Sequence, residues 1–204
     1  MLRRKPPVIR PEHTALLVVD MQKAFLEPSG VMYLPQAVEI VSQVAQVARD
    51  CRAAGVKIVW TRMSHEGLVG GAYRELFPQH FNSDGSPLLR RDTRDYQILD
   101  ELDPRPEDLY VDKTRYSAFL EGDLAERLRA AACDTTVICG IATNVCCEST
   151  ARDAFSLGFR LIVLSDVMAT GSRKAHEATL KTLRLAFGWV MTGDQLRKAL
   201  GLTA

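Results

Sequence analysis

No stretch of this sequence approaches the roughly 20 consecutive apolar residues that a membrane-crossing helix needs, so no membrane partner is expected. Neither sign of charge is in excess: 26 Lys and Arg stand against 25 Asp and Glu, a formal net charge of +1. Electrostatics therefore point neither to nucleic acid nor to an anionic surface. Neither G-x-G-x-x-G nor the P-loop pattern occurs, so the main signature of a nucleotide-binding doubly wound sheet is missing. There is no C-x-x-C pair and no Cys/His cluster at zinc spacing. The five cysteines, Cys51, Cys133, Cys139, Cys146 and Cys147, are odd in number and scattered through helix and strand patterns. That distribution argues against a disulfide framework and for a reducing, cytoplasmic setting. The basic start Arg3-Arg4-Lys5 runs into Pro6-Pro7 without the apolar segment of a signal peptide. Residues 1–11 read as a flexible N-terminal arm.

What is present is regular alternation. With 204 residues, 47% hydrophobic and 25% charged, the chain suits one α/β domain spanning residues 1–204. Ala15 to Val19 is a continuous apolar run ending in Asp20, as expected for a strand buried on both faces. Val38, Val41, Val44, Val47 and Ala48 form a helical stripe that closes at Ala54-Gly55, where glycine suits a C-cap. Further strands are read at Lys57 to Thr61, Leu109 to Val111, Thr136 to Cys139, Arg160 to Leu164 and, shortest, Trp189 to Met191. Helices are read from about Asp123 to Ala132, Asn144 to Leu157, Ser172 to Phe187 and Asp194 to Leu200. This repetition implies right-handed crossovers and a parallel sheet covered by helices on both faces. The stretch from Met63 to Asp95 is the exception, rich in glycine and proline with one short helix near Tyr73 to Leu76. Its apolar residues, including Tyr73, Phe77 and Phe81, suit a cover over a site or a contact with another subunit.

In open parallel sheets, ligands bind beyond the carboxyl ends of the strands. The residues there are Asp20, Arg62, Lys113, the segment Gly140 to Cys147, and Ser165-Asp166. Each has an ordinary structural role open to it: Asp20 can bond its turn, Lys113 can be solvated, and a lone cysteine is usually an inert buried residue. Together they bring an acid, a base and a thiol to one crevice. A thiol in the first turn of a helix, near an ammonium, is expected to have a depressed pKa. The helix N-terminal N–H groups could also hold a developing oxyanion. Neighbours on a helix differ by about 100°, so only one of Cys146 and Cys147 can face the crevice, and periodicity alone leaves both open.

Three motifs decide further. Val18-Val19-Asp20-Met21-Gln22-Lys23-Ala24-Phe25, Asp112-Lys113-Thr114-Arg115-Tyr116-Ser117-Ala118-Phe119, and Gly140-Ile141-Ala142-Thr143-Asn144-Val145-Cys146-Cys147-Glu148-Ser149-Thr150 occur in that order. In them, and from about residue 12 to the C-terminus, the chain resembles the isochorismatase-like cysteine hydrolases. This family includes nicotinamidases, N-carbamoylsarcosine amidases, biuret hydrolases and ureidoacrylate amidohydrolases. The resemblance implies a three-layer α/β/α fold with a six-stranded parallel sheet in the order 3-2-1-4-5-6. It implies a catalytic triad of Asp20, Lys113 and Cys146, with Cys147 at a position normally held by a small apolar residue. It also implies a cis peptide at Ile141-Ala142 and an oxyanion hole from the backbone N–H groups of Ala142 and Cys146, in a homo-oligomeric enzyme.

Departures from the family narrow the activity. Nicotinamidases begin a metal site with an aspartate and a histidine two residues apart; Met63 and His65 stand at those positions, so no metal or other cofactor is expected. Isochorismatases proper lack the nucleophilic cysteine, so amide chemistry is preferred to vinyl-ether cleavage. The stretches Asp95 to Leu102, Lys113 to Phe119 and Phe187 to Val190 are most similar to the ureidoacrylate and carbamoyl-amide branch. Ureidoacrylate enzymes, however, carry an asparagine where Met63 stands. The expected activity is cysteine-dependent hydrolysis of a C–N bond in a small amide, a ureido or carbamoyl compound. Vinyl-ether hydrolase, nicotinamidase and a catalytically idle interaction protein are the alternatives. Phe25, Arg62 and Tyr116, beside triad members, are expected pocket walls. Arg62 suits either a substrate carboxylate or an acidic side chain. Arg152-Asp153 reads as a structural pair and Ser172 as a helix cap. His13, His80 and His176 show no ligand spacing.

Overall fold

The structure, a computed structural model, describes Lys5, residues 7–68 and residues 71–202. Strands β1 (Thr14–Val19), β2 (Lys57–Met63), β3 (Leu109–Lys113), β4 (Thr135–Ile141), β5 (Arg160–Ala169) and β6 (Trp189–Met191) form one parallel sheet, in the order β3-β2-β1-β4-β5-β6. The helices are α1 (Lys23–Leu26), α2 (Pro35–Val38), α3 (Val41–Ala53), α4 (Ala72–Leu76), α5 (Leu124–Ala130), α6 (Glu148–Ser156), α7 (Arg173–Ala186) and α8 (Gly193–Ala199). The expected sheet order is therefore found.

β1 and β4 are buried along their whole length, which is why both read as unbroken apolar runs. Period-2 alternation divides their side chains between two cores. Leu16, Val18, Val137 and Cys139 pack with Val44 and Ala48 of α3 and Leu196 of α8 on one face. Ala15, Leu17, Val19 and Ile138 pack on the other, with Leu128 of α5, Ala151 and Ala154 of α6, and Leu183 of α7. Each fully buried leucine contributes about 1.5–3 kcal/mol relative to exposure, so the middle of the sheet is the rigid part of the molecule.

The long stripe read across Val38 to Ala53 is two helices, α2 and α3, separated at Glu39-Ile40. Gly55 follows with φ +86°, the left-handed conformation expected of a helix-ending glycine. Ser172 caps α7 by accepting the Ala175 N–H, and Thr192 with Gln195 forms a capping box on α8. Arg152 pairs with Glu148, one turn earlier, rather than with Asp153, and its guanidinium lies over Phe187. Positions four apart on a helix face each other and adjacent ones do not.

Part of the expected flexible arm is docked. Ile9 is buried in the core, and the Lys5 carbonyl accepts a hydrogen bond from the Trp189 indole at 2.9 Å. Met1 to Arg4 and Pro6 lie outside the described residues. Among the described residues no helix is long and apolar enough to cross a membrane, and all five cysteines are free and buried.

Candidate active site

The site forms where β1, β3 and β4 end together. β1 is followed directly by Asp20, whose backbone takes φ +53°, a left-handed conformation that aspartate tolerates better than branched residues do. Across the pair, Gly140 has φ +108°, and a Cβ built there would sit 2.2 Å from the Val19 carbonyl oxygen. Only glycine lets β4 pass so close to β1 at this point. The Ile141–Ala142 peptide bond that follows is cis. The chain then enters a wide turn, Thr143–Cys147, closed by the Cys147 N–H donating to the Ala142 carbonyl at 3.1 Å, before α6 begins at Glu148. The regular helix thus starts four residues later than its apolar pattern suggested. This turn is braced from α7. His176 Nε2 donates to the Ser165 carbonyl at 3.0 Å, which leaves Nδ1 to accept from the Thr143 hydroxyl at 2.9 Å.

Asp20, Lys113 and Cys146 meet at the floor of a cavity. Lys113 Nζ donates to Asp20 Oδ2 at 2.7 Å and to the Arg115 carbonyl at 3.2 Å, and lies 3.5 Å from Cys146 Sγ. Asp20 Oδ1 accepts from the Thr61 hydroxyl at 2.6 Å, and the same hydroxyl oxygen accepts the Asp20 backbone N–H at 3.1 Å. Both carboxylate oxygens are therefore held by directed donors. Burial is the largest influence on the Lys113 ammonium and works against its charge, but Asp20 and Cys146 together more than offset it, so the pKa is raised.

The thiol departs from expectation. Burial pushes the Cys146 pKa up to about 12, with Lys113 lowering it and Asp20 raising it. Burial and Asp20 thus favour the protonated thiol, beside the Lys113–Asp20 salt bridge. The ammonium and the helix N-terminus favour a thiolate, but desolvation of the enclosed sulfur and the neighbouring carboxylate oppose it. Cys147 is completely buried among Leu17, Ile138 and Ala151.

The cavity above these groups is about 270 Å³. Phe25, Met32 and Leu34 form one side, and Tyr116, Val145 and Thr170 others. Met63 at the end of β2 lines it too, and the irregular segment that follows supplies His65, Tyr73, Phe77 and His80, so that segment is a cover of the site. The Leu68 side chain, Val69 and Gly70 fall outside the described residues. Tyr73 Oη lies 3.0 Å from His65 Nε2 and 2.9 Å from His80 Nδ1, and the two imidazoles stack with centroids 5.2 Å apart. Burial, then His80 and Lys113, lower the His65 pKa to about 4 against an opposing pull from Asp20; burial also lowers His80. Both rings are neutral at pH 7. A metal would need more donors: Met63 offers a thioether where nicotinamidases have a carboxylate, and Tyr73 stands between the two ring nitrogens. Among the described residues no group of three or more His, Cys, Asp or Glu side chains is placed to hold an ion.

Phe25 and Tyr116 line the cavity as expected, and Ala142 joins them there. Arg62 does not. β2 extends to Met63, so Arg62 lies inside the strand, and alternation sends it away from Thr61 and Met63. It bonds Asp112 on β3 at 2.7 Å and covers the rings of Tyr96 and Tyr110. Ser165 and Asp166 are also displaced, because β5 continues to Ala169. A register irregularity between Ile138 and Gly140 accommodates the polar pair. Ser165 then bonds the Met191 carbonyl and Asp166 accepts the Gly193 N–H. The residues that reach the cavity from this strand are Thr170 and Gly171. Sequence reasoning also missed Thr61, whose only signal was a hydroxyl at the register position beside the end of β1, and Gln22. Gln22, fully buried, bonds the backbone of Met63 on both its donor and acceptor sides and thereby ties the cover to β1.

Comparison with known proteins assigns the class. Residues 14–195 match the isochorismatase domain, and the chain belongs to the isochorismatase family. It is 33% identical to the ureidoacrylate amidohydrolase RutB of Methylobacterium radiotolerans, an alignment covering 98% of this chain and 84% of that protein. Among solved structures it is similar to a cysteine hydrolase from Pseudomonas syringae pv. phaseolicola, with a TM-score of 0.87, 33% identity, and 98% and 99% of the two chains covered. It is also similar to the N-carbamoylsarcosine amidase of Thermoplasma acidophilum, with a TM-score of 0.74, 25% identity, and coverage of 89% and 96%.

Proposed function

We propose that this protein is a cysteine-dependent amidohydrolase, a single hydrolase domain that cleaves a C–N bond of a small amide, a ureido or carbamoyl compound, through a thioester intermediate. The observation that carries the reading is the Cys146–Lys113–Asp20 contact at the floor of a 270 Å³ cavity. The named activities of the similar amidohydrolases support amide hydrolysis as the reaction type. Because the resting thiol is neutral, its proton passes to Asp20 as sulfur attacks the substrate carbonyl carbon. The carbonyl π electrons move to oxygen, where the backbone N–H groups of Ala142 and Cys146 receive the negative charge. Collapse of the tetrahedral adduct breaks the C–N bond, and the proton on Asp20 goes to the departing amine or ammonia. Asp20 then takes a proton from water, the hydroxide adds to the thioester, and sulfur leaves and regains its proton. Lys113 stays protonated throughout and keeps Asp20 oriented. The fully buried free thiols fit a reducing, cytoplasmic setting, and the family resemblance suggests a homo-oligomer.

The test is ammonia release by the purified protein across ureido and carbamoyl compounds, with rapid acid quench and intact-mass analysis for an adduct on Cys146. Turnover and an adduct in the wild type, both absent in Cys146→Ala, are expected. Undiminished turnover by Cys146→Ala would exclude the thioester route.

A further inference from the structure

The cavity walls restrict what the non-reacting end of the substrate can be. Among the described residues that line it there is no Lys or Arg. Leu68, Val69 and Gly70, whose side chains fall outside the described residues, are uncharged residue types. Lys113, behind the floor, is fully enclosed and already committed to Asp20, the Arg115 carbonyl and the Cys146 sulfur. Arg62 is engaged with Asp112. Arg115 lines a separate depression that shares only Tyr73 and Tyr116 with the cavity, and its guanidinium donates to Thr114 and Gly67. Among the described lining residues the only carboxylate is that of Asp20, held by Lys113, and burial lowers the pKa of both imidazoles, His65 and His80. What faces the substrate is Phe25, Met32, Leu34, Tyr73, Phe77 and Tyr116.

We infer that the enzyme selects uncharged ureido or carbamoyl compounds whose substituent is alkyl or aryl, and discriminates against ureido acids. This inference rests on the amidohydrolase reading and sharpens it. A carboxylate brought into this cavity loses its hydration and meets apolar atoms and rings without a cation to pair with. An alkyl or aryl group of similar size gains from the same surface. The Tyr73 hydroxyl, shared between two imidazoles, supplies the wall with a neutral polar point, suited to an amide rather than to an anion.

Matched pairs test it: 3-methylbutylurea against 3-ureidopropionate, which are nearly isosteric, and benzylurea against 4-(ureidomethyl)benzoate. Ammonia release by the wild-type enzyme should favour the uncharged member by about 100-fold or more in kcat/KM, the scale set by leaving one buried charge unpaired. Leu34→Arg, which places a guanidinium at the wall, should shrink or invert that ratio. Equal turnover of the acid, or a preference for it, would overturn the selectivity while leaving the amidohydrolase standing. Calorimetric titration of the same pairs into Cys146→Ala reads the cavity without turnover. Tighter binding of the uncharged ureas there, with no ammonia from any compound in the wild type, would sink the hydrolase and keep the selectivity. Tighter binding of the acids would sink the selectivity.

Discussion

Lys113 Nζ and Asp20 Oδ2 lie 2.7 Å apart with both side chains essentially shut off from solvent. A buried pair of this kind is costly to break because the surviving charge has nowhere to go. Asp20→Asn should therefore lower stability by about 3–5 kcal/mol as well as reducing kcat by roughly 10²–10⁴-fold, the usual contribution of a positioned base. Combining Asp20→Asn with Lys113→Met should recover most of the stability and none of the activity. Urea melts of the three variants measure this; a single variant as stable as wild type would show that the pair is not energetically coupled.

The same carboxylate sets the resting state of the thiol. Burial and Asp20 hold Cys146 protonated at neutral pH, while Lys113 pulls the other way. Iodoacetamide should label Cys146 more slowly than a free thiol at pH 7, with the rate climbing into the alkaline range. Removing the negative neighbour leaves only the ammonium, so Asp20→Asn should label faster than wild type even as turnover is lost. Labelling located by peptide mass mapping tests this, and slower alkylation in Asp20→Asn would contradict the assignment of charges.

Thr61 acts through Asp20. Its hydroxyl gives a 2.6 Å hydrogen bond to Oδ1 and accepts the Asp20 backbone N–H. Thr61→Val keeps the shape and deletes both, at about 1–3 kcal/mol. Loss of alignment should reduce kcat about tenfold, equivalent to ~1.4 kcal/mol in the barrier, with KM little changed. Thr61→Ser should restore kcat. A KM effect without a kcat effect would assign Thr61 to the pocket wall instead.

The covering segment carries its own pH dependence. His65 has a folded-state pKa of about 4 against an ordinary 6.5. Its depressed value means full stability above pH 6.5, where the ring is neutral folded and unfolded. Between pH 6.5 and 4 only the unfolded chain gains the proton, so stability falls by up to ~1.4 kcal/mol per pH unit. His65→Gln should flatten that acid limb of the Tm profile without abolishing it, because His80 is shifted the same way. Superimposable limbs in the two proteins would rule His65 out as the source.

The strands that lead into the candidate site were legible because β1 and β4 are buried on both faces, which leaves apolar runs that give way to Asp20 and Gly140. β5 was read short because Ser165 and Asp166 interrupt its apolar pattern, although each satisfies its polar atoms on β6 and the start of α8. Arg62 was expected past the strand end, but β2 runs two residues beyond Thr61, and neighbouring residues inside a strand face opposite ways. The covering segment gave only its composition. Which of its side chains turn inward depends on short turns held from outside it, such as Gln22 gripping Met63.

The order of motifs along the chain determined the fold, the family and the identity of the acid, the ammonium and the thiol, because local pattern and strand-end position need no knowledge of the surroundings. Their protonation was decided only by the tertiary structure. Burial and the distances among Asp20, Lys113 and Cys146 determine a neutral thiol beside an ion pair, whereas the sequence alone suggested a thiolate. The character of the cavity was likewise decided there, since the side chains that meet in it come from residues as far apart as Phe25 and Gly171. Desolvation and the facing of side chains arise only when distant segments close over one another.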